Sequence, residues 1–325
     1  MPTSPSTSPC SVTHPILAAD VGGTNLKLGV VHNGVVLARA SIPAHADRTL
    51  AERLPVIASE WTALCAQVGI STRDCGGIGI SYPSVMHPQT GRIMVHYNKF
   101  AADALDIDLR AWAKDSFGLS LAIENDARTA LIGEWQHGIG KGHDNLAMIT
   151  LGTGIGTAAI INGRPLRGVH GEAVIMGGHT TINHDGAICT ICGNIGCAEL
   201  EASSASLPRI ARAMEGYPES LLALEAKTDY EAVFRLAGEG DAVSCRLRDH
   251  TLRVWGAYAA NLVLMLDPSM LIIGGGIAAN PEVVAAIRAH IHHYAMTVWG
   301  KVPVEASRLG NDAALLGCEW LGRNS

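Results

Sequence analysis

Two glycine-rich segments contain residue types that suit the binding of phosphate groups. The first is Asp20-Val21-Gly22-Gly23-Thr24, and the second is Leu151-Gly152-Thr153-Gly154-Ile155-Gly156. Glycine has no side chain and tolerates positive φ, so backbone N–H groups can approach phosphate oxygens, and a threonine hydroxyl adds a donor. Either segment alone is as typical of a simple tight hairpin turn as of a phosphate-binding loop. Together they predict a nucleoside triphosphate site, in which Asp20 holds a hydrated Mg²⁺ over the β- and γ-phosphates.

Two further glycine motifs bear on nucleotide binding. The P-loop pattern G-x-x-x-x-G-K-[S/T] is absent from the chain. The run from Gly274 through Gly275 and Gly276 to Ala279 fits the dinucleotide pattern G-x-G-x-x-A. A dinucleotide fold needs an acidic residue about twenty positions later, and residues 297–300 there read Thr-Val-Trp-Gly. These glycines are therefore predicted to form a flat seat for an adenine and a ribose.

The segment Glu124-Asn125-Asp126 lies where an apolar strand is predicted to meet a helix. Phosphoryl transfer needs positioned groups, charge neutralisation and a base that accepts the proton of the attacking hydroxyl. Asp126 suits that base. The alternative is that Asn125 and Asp126 only cap the following helix, since both residue types are good N-caps.

Three of the eight cysteines are clustered, at Cys189, Cys192 and Cys197. Zinc prefers four tetrahedral nitrogen or sulfur ligands, and a C-x-x-C pair bends readily around one ion. With His179, the three cysteines would complete a closed, structural zinc site, and His184 is the competing fourth ligand. The alternative is a set of loose thiols in a glycine-rich loop. The other cysteines are scattered as single residues, which is typical of reduced thiols.

The elements predicted around the two glycine-rich segments are alike. Each segment joins two apolar strands, at residues 16–20 and 26–31 in one half and at 146–150 and 157–161 in the other. This pattern predicts two β-hairpins and therefore a duplicated lobe, with both loops facing a shared cleft. Further strands are predicted at 35–42, 77–81, 121–123 and 270–273. Helices are predicted at 50–67, 127–135, 202–214, 220–237, 248–266 and 312–321.

Composition limits the classes of function. A chain of 325 residues suggests about two domains, and its 48% hydrophobic and 17% charged residues favour an α/β fold. The net charge of −6 gives no basic surface for nucleic acid. Residues 1–15 are rich in Ser, Thr and Pro, which predicts a disordered tail rather than a secretion signal. A cytoplasmic protein with no membrane segment is expected.

These segments together resemble the ROK family of sugar kinases and repressors from about residue 16 onward. The resemblance rests on D-x-G-G-T at residues 20–24, E-N-D-A at 124–127, L-G-T-G-I-G at 151–156 and C-G-x-x-G-C-x-E at 192–199. It implies an α/β, two-lobed, actin-like and ribonuclease-H-like fold, with nucleotide and sugar in the cleft between the lobes. It also implies phosphoryl transfer from ATP with Mg²⁺ to a sugar or polyol hydroxyl, a structural Zn²⁺ and a homodimer.

The resemblance assigns roles to individual residues. Asp126 becomes the catalytic base. The expected ATP and phosphate contacts are Asp20, Gly22, Gly23, Thr24, Asn25, Lys27, Gly152, Thr153, Gly154, Gly274, Gly275 and Gly276. The expected substrate contacts are Asn98, Asn125, Asp126, Glu172, His179 and Glu199. The N-terminal lobe is expected at 16–127, completed by a C-terminal helix at 308–325, and the C-terminal lobe at 128–307 with the zinc loop at 179–197.

The chain departs from the family pattern beside the sugar site. The usual G-E-I-G-H segment reads Ile175-Met176-Gly177-Gly178-His179, so a sugar-binding Glu is replaced, with Met176 nearby. Glu172 is the candidate substitute. The loss of the sugar-binding Glu is expected to affect sugar specificity more than phosphoryl transfer. Besides a sugar kinase, the sequence leaves open a non-catalytic sugar-binding regulator of the ROK type, and on the glycine motif at Gly274 alone an NAD-linked oxidoreductase.

Overall fold

A computed structural model describes residues 14–45, 47–95 and 102–325 of the chain. Within these ranges, the strands form two five-stranded sheets. The first sheet contains β1 (Ile16–Val21), β2 (Asn25–His32), β3 (Val35–Pro43), β4 (Gly77–Tyr82) and β5 (Leu121–Asn125). The second contains β6 (Leu146–Leu151), β7 (Ile155–Ile161), β8 (Arg164–Pro165), β9 (Met270–Gly274) and β10 (Val304–Ala306). Their strand orders are β3-β2-β1-β4-β5 and β8-β7-β6-β9-β10.

The two sheets have the same topology. In the first, β1 is antiparallel to β2 and parallel to β4, and in the second β6 is antiparallel to β7 and parallel to β9. The central strands β1 and β6 are apolar and almost entirely buried, as expected for strands covered on both faces. Both predicted glycine-loop hairpins are therefore confirmed, and so is the predicted two-lobed α/β fold.

Helices cover both sheets and fill the space between them. Helices α1 (Leu50–Gln67) and α2 (Leu109–Phe117) pack on the first sheet. The other helices are α3 (Asp126–His137), α4 (Ala198–Ala202), α5 (Leu207–Arg212), α6 (Tyr230–Gly238), α7 (Ala242–Leu266), α8 (Pro281–Tyr294) and α9 (Ala313–Arg323). Helices α4 to α8 cover the second sheet. Helices α3 and α9 pack against each other, α3 touching the second sheet and α9 the first.

Three predicted helices have the wrong bounds. The helix expected at 202–214 is divided into α4 and α5, because the Ser203 hydroxyl accepts the Ser206 amide at 3.2 Å and turns the chain. The helix expected at 220–237 becomes a short turn followed by α6, which begins after its cap Asp229. Helix α7 begins before residue 248, because Asp241 caps it. Serine and aspartate side chains compete locally with the helical hydrogen bonds, which sets these breaks.

Close packing between α3 and α9 depends on two glycines. A Cβ atom at Gly133 of α3 would lie 2.0 Å from the Ala313 carbonyl oxygen, and one at Gly317 of α9 would lie 2.0 Å from the Thr129 carbonyl oxygen. Both neighbours are helix backbone, so neither can move aside cheaply. The glycines therefore permit the short distance between the two helices that join the lobes.

We expect Gly317→Ala to lower the free energy of unfolding by about 1–3 kcal/mol, because the added methyl group overpacks the α3–α9 contact. Urea denaturation monitored by circular dichroism measures the loss. The matched control is Gly238→Ala, at the end of α6, where an added Cβ meets nothing within 4 Å. Equal stability of the two variants would contradict the packing argument.

A buried carboxylate ties α9 to the first sheet. Glu319, 2% exposed, accepts hydrogen bonds from the Asn33 and Gly34 amides at 2.5 and 2.8 Å, between β2 and β3. It also lies 3.2 Å from His137 Nε2 of α3. Burial raises its pKa, but the bonds from His137, Arg323 and Gly34 outweigh burial and lower the pKa to about 2. We propose that α9 completes the N-terminal lobe, and that the boundary between the lobes lies at the start of α3.

Candidate active site

The carboxyl ends of three parallel strands bring acidic and polar side chains to one edge of the first sheet. Asp20 on β1 pairs in register with Ser81 on β4, and Ser81 pairs with Glu124 on β5. The Ser81 hydroxyl donates to Asp20 Oδ1 at 2.9 Å, and Lys27 Nζ lies 3.4 Å from Asp20 Oδ2. The Asp20 carboxylate is thus held at the strand end, next to the first glycine turn.

The first glycine turn is a tight and exposed loop. The Gly22 amide donates to the Asn25 carbonyl at 3.0 Å, and the Ala44 amide donates to the Thr24 carbonyl at 2.8 Å. Gly23, Thr24 and Asn25 are exposed to solvent. Backbone groups and the threonine hydroxyl are therefore accessible to a ligand at this sheet edge.

Asn125 and Asp126 perform different tasks at the start of α3. Asn125 is the N-cap, since its Oδ1 accepts the Arg128 amide at 3.2 Å. Its Nδ2 donates to Asp126 Oδ1 at 3.0 Å and to the Ser84 carbonyl at 3.3 Å. Asp126 is exposed, and its Oδ1 also accepts the Ala127 amide at 2.8 Å. The helix is therefore capped by Asn125, and these bonds orient the Asp126 carboxylate.

Glu124, which precedes Asn125 and Asp126 in the chain, belongs to a buried ion-pair network. Glu124, 4% exposed, contacts Arg128 Nη1 at 2.6 Å and Arg167 Nε at 2.7 Å. Arg128 Nη2 donates to the carbonyl oxygens of Gly171 and Ala173 at 3.1 Å. Burial lowers the pKa of Arg128, although Glu124 opposes that effect. The network fastens the chain at 171–173 to α3 and so sets the position of the following loop.

A cavity of about 440 Å³ lies in front of Asp126, and we call it the Asp126 cavity. It is formed by the β4 end, the α3 start, the second glycine-rich loop and the loops on either side of His179. Its lining residues are Pro83, Ser84, Val85, Asn125, Asp126, Thr150, Leu151, Gly152, Thr153, Gly154, Ile155, Gly156, Ile175, Met176, His179, Ile191, Glu199, Ala205 and Gly275. Its size suits a small organic ligand.

A second opening, which we call the Thr153 cleft, lies on the other side of the second glycine-rich loop. Its volume is about 820 Å³. Besides Leu151, Gly152, Thr153 and Ala205, which it shares with the Asp126 cavity, it is lined by Ser204, Pro208, Arg212, Tyr217, Ala223, Glu225, Ala226, Lys227, Thr228, Asp229, Gly276 and Ile277. The loop at 151–153 therefore lies between the two spaces and borders both.

The three consecutive glycines at 274–276 pack against the loop at 151–153. Gly274 ends β9, and Gly275 has φ 84°. A Cβ atom at Gly275 would lie 2.1 Å from the Leu151 carbonyl oxygen. Gly275 lines the Asp126 cavity and Gly276 lines the Thr153 cleft. The glycines are thus at the point where a ligand could extend from one space into the other.

Glu199 joins the second glycine-rich loop to His179. Its Oε2 accepts the Ile155 amide at 2.9 Å, and its Oε1 lies 3.8 Å from His179 Nε2. A Cβ atom at Gly154 would lie 2.5 Å from Glu199 Oε2. The lack of a side chain at Gly154 therefore permits this carboxylate to reach the loop.

His179 also borders a group of thiols. One ligand atom from each of His179, Cys189, Cys192 and Cys197 lies within 4.8 Å of the others. The chain turns there through a hydrogen bond from the Cys189 amide to the Asn194 carbonyl at 2.8 Å, with Gly193 at φ 78°. Burial raises the pKa of Cys197 to about 12, and the adjacent Cys189 thiol raises it as well. Three sulfurs and one imidazole nitrogen at this spacing fit a tetrahedral zinc ion.

Comparison with known proteins decides the family. The model of the ROK family matches residues 16–325. The chain belongs to the ROK family. It is 32% identical to a glucokinase of Halalkalibacterium halodurans over 94% of both chains, and 31% identical to a beta-glucoside kinase of Listeria monocytogenes over 94% of this chain and 96% of the relative. A ROK glucokinase of Streptomyces griseus, solved with glucose and AMPPNP, has a TM-score of 0.76 and 29% identity over 96% of this chain and all of that one.

These matches confirm three expectations from the sequence of this ROK protein. The resemblance to the ROK family is confirmed, as is the actin-like two-lobed fold. The expected class of function, an ATP-dependent carbohydrate kinase, is confirmed as well. Within the described ranges, no helix combines the length and apolarity needed to cross a bilayer.

The ROK chain brings only some of the predicted site residues together. Asn125, Asp126, His179, Glu199 and the second glycine-rich loop meet at the Asp126 cavity. The first glycine turn, Asp20 and Lys27 are not among the described residues that line it. Glu172 is exposed and is also outside that lining, whereas Met176 is part of it. Asn98 lies outside the described residues. The thiol group includes His179 and not His184.

Some candidate residues were missed by sequence reasoning. Arg212, Tyr217 and Lys227 line the Thr153 cleft but belong to no recognised motif. Arg128 and Arg167 meet Glu124 across 4 and 43 positions of sequence. The only available signal was the acidic and basic side chains themselves, and their pairing depends on the tertiary fold.

Proposed function

We propose that this ROK kinase phosphorylates a hexose-type acceptor bound in the Asp126 cavity, with Asp126 as the general base. The observation that supports this best is the loop at 151–153, which borders both the Asp126 cavity and the Thr153 cleft. An acceptor in the first space and a nucleotide in the second would meet at this loop. The relatives named glucokinase and beta-glucoside kinase make glucose or a glucoside the first acceptors to test.

Each group has a proposed role in the transfer. ATP, when bound in the Thr153 cleft, supplies the phosphoryl group. Backbone N–H groups of Thr153 and Gly154 and of Gly23 and Thr24 would hold phosphate oxygens, with Asn25 and Lys27 nearby. The Gly22 and Gly152 amides close the two turns by donating to the Asn25 and Gly154 carbonyls at 3.0 and 3.1 Å. Asp126 would accept the proton of the attacking hydroxyl. Asn125, His179 and Glu199 would orient the acceptor, and Asn98 remains a proposed contact.

Two metal ions belong to the proposal. Asp20 offers an oxygen ligand of the kind that Mg²⁺ prefers, at a strand end beside the first glycine turn. The donor set of His179, Cys189, Cys192 and Cys197 suits a closed structural zinc site rather than a catalytic one, since all four positions are filled by side chains. A homodimer is proposed from the family resemblance, and a cytoplasmic location is proposed from the sequence composition.

The proposal is tested by incubating the full chain with ATP and Mg²⁺ and a panel of hexoses, amino sugars, anhydro sugars, glycosides and cyclitols. ADP release and the mass of the product sugar are measured. We expect ADP release that requires both the acceptor and Mg²⁺, with a product about 80 Da heavier than the acceptor, the mass of an added HPO₃ group.

The same assay decides between the kinase and the regulator alternative. A sugar that binds in calorimetry and yields no ADP with any acceptor would favour the non-catalytic regulator. The regulator is the weaker candidate because Asp126 lines the cavity and the glycine-rich loop is intact. The NAD-linked alternative loses support because the Gly274 motif packs against a loop of this cavity and its expected acidic partner is absent.

A further inference from the structure

A third cavity contains a group of basic side chains, and we call it the Arg128 pocket. Its volume is about 290 Å³. Its walls are the loop at 86–91, α2, the end of β5, the start of α3, Arg167 and the end of α9. Among the described residues, it shares no lining residue with the Asp126 cavity or the Thr153 cleft. The pocket is therefore a separate candidate site.

The charged side chains of the Arg128 pocket do not balance. In the part of the chain that the structure describes, its lining contains three guanidinium groups, those of Arg110, Arg128 and Arg167. It contains one side-chain carboxylate, Glu124, which contacts both Arg128 and Arg167. The side chains thus carry a surplus of two positive charges. An α-carboxylate at Ser325, which also lines the pocket, would leave a surplus of one.

Part of this surplus charge is buried. Arg128 is 1% exposed. Burial lowers the pKa of Arg128, Glu124 opposes that effect, and Arg167 adds to the lowering. A buried cation is stable only when it is paired with negative charge and its donors are hydrogen-bonded. A bound anion would supply the missing negative charge.

Arg128 also has a buried donor without an acceptor. Its Nη1 donates to Glu124, and its Nη2 donates to the Gly171 and Ala173 carbonyls. Its Nε is buried and has no hydrogen-bond partner among the described residues. Buried polar groups in native proteins are nearly always hydrogen-bonded, because an unmet donor loses its bond to water. The Nε group therefore points to an acceptor that the described chain does not supply.

Other donors line the same pocket. Arg110 uses Nη1 for the Gln89 carbonyl at 2.7 Å, and Arg167 uses Nε for Glu124. This leaves Nη2 of Arg110 and both Nη groups of Arg167 without a hydrogen bond to a described residue. His87 Nδ1 accepts the Gln89 amide at 3.3 Å, so the proton of the neutral ring is on Nε2, which can donate.

We propose that the Arg128 pocket binds a phosphate-type oxyanion, either inorganic phosphate or the phosphate group of a phosphorylated sugar. Guanidinium groups match phosphate oxygens in paired, charge-assisted hydrogen bonds. A phosphate dianion matches the surplus charge of the side chains, and its tetrahedral oxygens can accept from α2, α3 and Arg167 at once. A water molecule could meet Arg128 Nε but would leave the charge unbalanced. This site is additional to the proposed function and does not depend on it.

The test is calorimetric titration of the full chain with sodium phosphate, at constant ionic strength in chloride. AMPPNP and glucose are present to fill the proposed nucleotide and acceptor sites. We expect saturation at about one phosphate per chain, because the lining forms a single pocket. Arg110→Gln should weaken binding by about tenfold, the contribution of a hydrogen bond with a charged partner. The matched control is Arg92→Gln, since Arg92 is also exposed but lies outside the lining, and the affinity should persist.

A parallel titration with glucose 6-phosphate identifies the source of the phosphate group. Binding tighter than that of inorganic phosphate, and weakened in Arg110→Gln, would assign the pocket to a phosphorylated sugar. Equal or weaker binding would assign it to inorganic phosphate. Both results support the site.

Three results would overturn the inference. They are no phosphate binding to wild type, equal affinity in wild type and Arg110→Gln, and chloride binding as tight as phosphate binding, which would mean an adventitious ion only. Crystals of wild type grown with phosphate should show a phosphate oxygen bonded to Arg128 Nε, and a water molecule alone at that place would also contradict the site. These measurements do not use ADP release, so a failure of the kinase proposal is distinguishable from a failure of this inference.

Discussion

Asp126→Asn is expected to reduce kcat by about 100- to 10,000-fold, the range by which a positioned general base accelerates a reaction. The substitution removes the group that would accept the proton of the acceptor hydroxyl, while the shape of the side chain is almost unchanged. Nucleotide affinity should change little, because Asp126 lines the Asp126 cavity and not the Thr153 cleft. The measurements are steady-state ADP release and titration with AMPPNP.

The structure explains why this variant should stay folded. The N-cap of α3 is Asn125, so the helix keeps its cap when Asp126 is replaced. Asp126 Oδ1 accepts the Ala127 amide at 2.8 Å, and an asparagine amide oxygen can accept the same bond. A loss of kcat with normal thermal unfolding would therefore show that the substitution impairs the chemical step and not the fold.

The control for charge is Asp115→Asn, which removes an exposed carboxylate from α2. It should keep wild-type kcat and KM. Retention of most activity in Asp126→Asn would refute the assignment of the base. Equal losses in both variants would point to a general effect of charge.

Features that depend on short stretches of sequence were predicted well. The two hairpins around Gly22–Gly23 and Gly152–Gly154 follow from strand alternation interrupted by glycine, which is a local signal. The group of Cys189, Cys192 and Cys197 follows from spacing, because a C-x-x-C turn limits how far its thiols can separate. His179, ten residues before Cys189 and already predicted as the fourth ligand, has a ligand atom within 4.8 Å of those of the three cysteines.

Features that depend on tertiary contacts could not be predicted. The pairing of Glu124 with Arg167 spans 43 positions, and nothing in either local sequence indicates it. Arg212 and Lys227 line the Thr153 cleft from a region that was predicted as long helices and is in fact divided into short ones. Single serine and aspartate caps decide those breaks, and helical periodicity does not detect them.

The apolar lining of the Asp126 cavity could be predicted from the sequence only in part. The replacement of a sugar-binding glutamate near Met176 was apparent in the sequence, and Glu172 was the expected substitute. In the structure Glu172 is exposed outside the cavity lining, while Ile175 and Met176 belong to it. The direction in which a loop residue points depends on the turn between Val174 and Gly177, and a sequence pattern does not define that turn.

The Cys192→Ser variant is expected to lose the proposed zinc ion. Its kcat/KM should fall by at least about tenfold, which is the lower end of the effect of altering the groups that support a metal site. Wild-type protein should contain about one zinc per chain, because four ligands complete one tetrahedral site. Zinc is measured by inductively coupled plasma mass spectrometry on desalted protein, and activity by ADP release.

The expected effect on activity follows from the contacts of the two ligands nearest the cavity. His179 Nδ1 lies 4.0 Å from Cys197 Sγ, while His179 Nε2 lies 3.8 Å from Glu199 Oε1. Cys197 directly precedes α4, which carries Glu199, and Glu199 accepts the Ile155 amide of the second glycine-rich loop at 2.9 Å. Release of the metal would therefore loosen His179, Glu199 and the loop that borders both the acceptor and nucleotide spaces.

Cys245→Ser is the matched control, since its thiol contacts the Ala237 carbonyl at 3.4 Å, outside the metal group. It should keep both zinc and activity. Wild-type protein treated with a chelator should lose activity and regain it when Zn²⁺ is restored in the presence of Mg²⁺, because the ligands themselves are unchanged. If Cys192→Ser retained one zinc per chain and a normal fold, the proposed ligand set would be wrong. If it lost zinc but kept full kcat/KM, the link from the metal through His179 and Glu199 to the glycine-rich loop would be wrong.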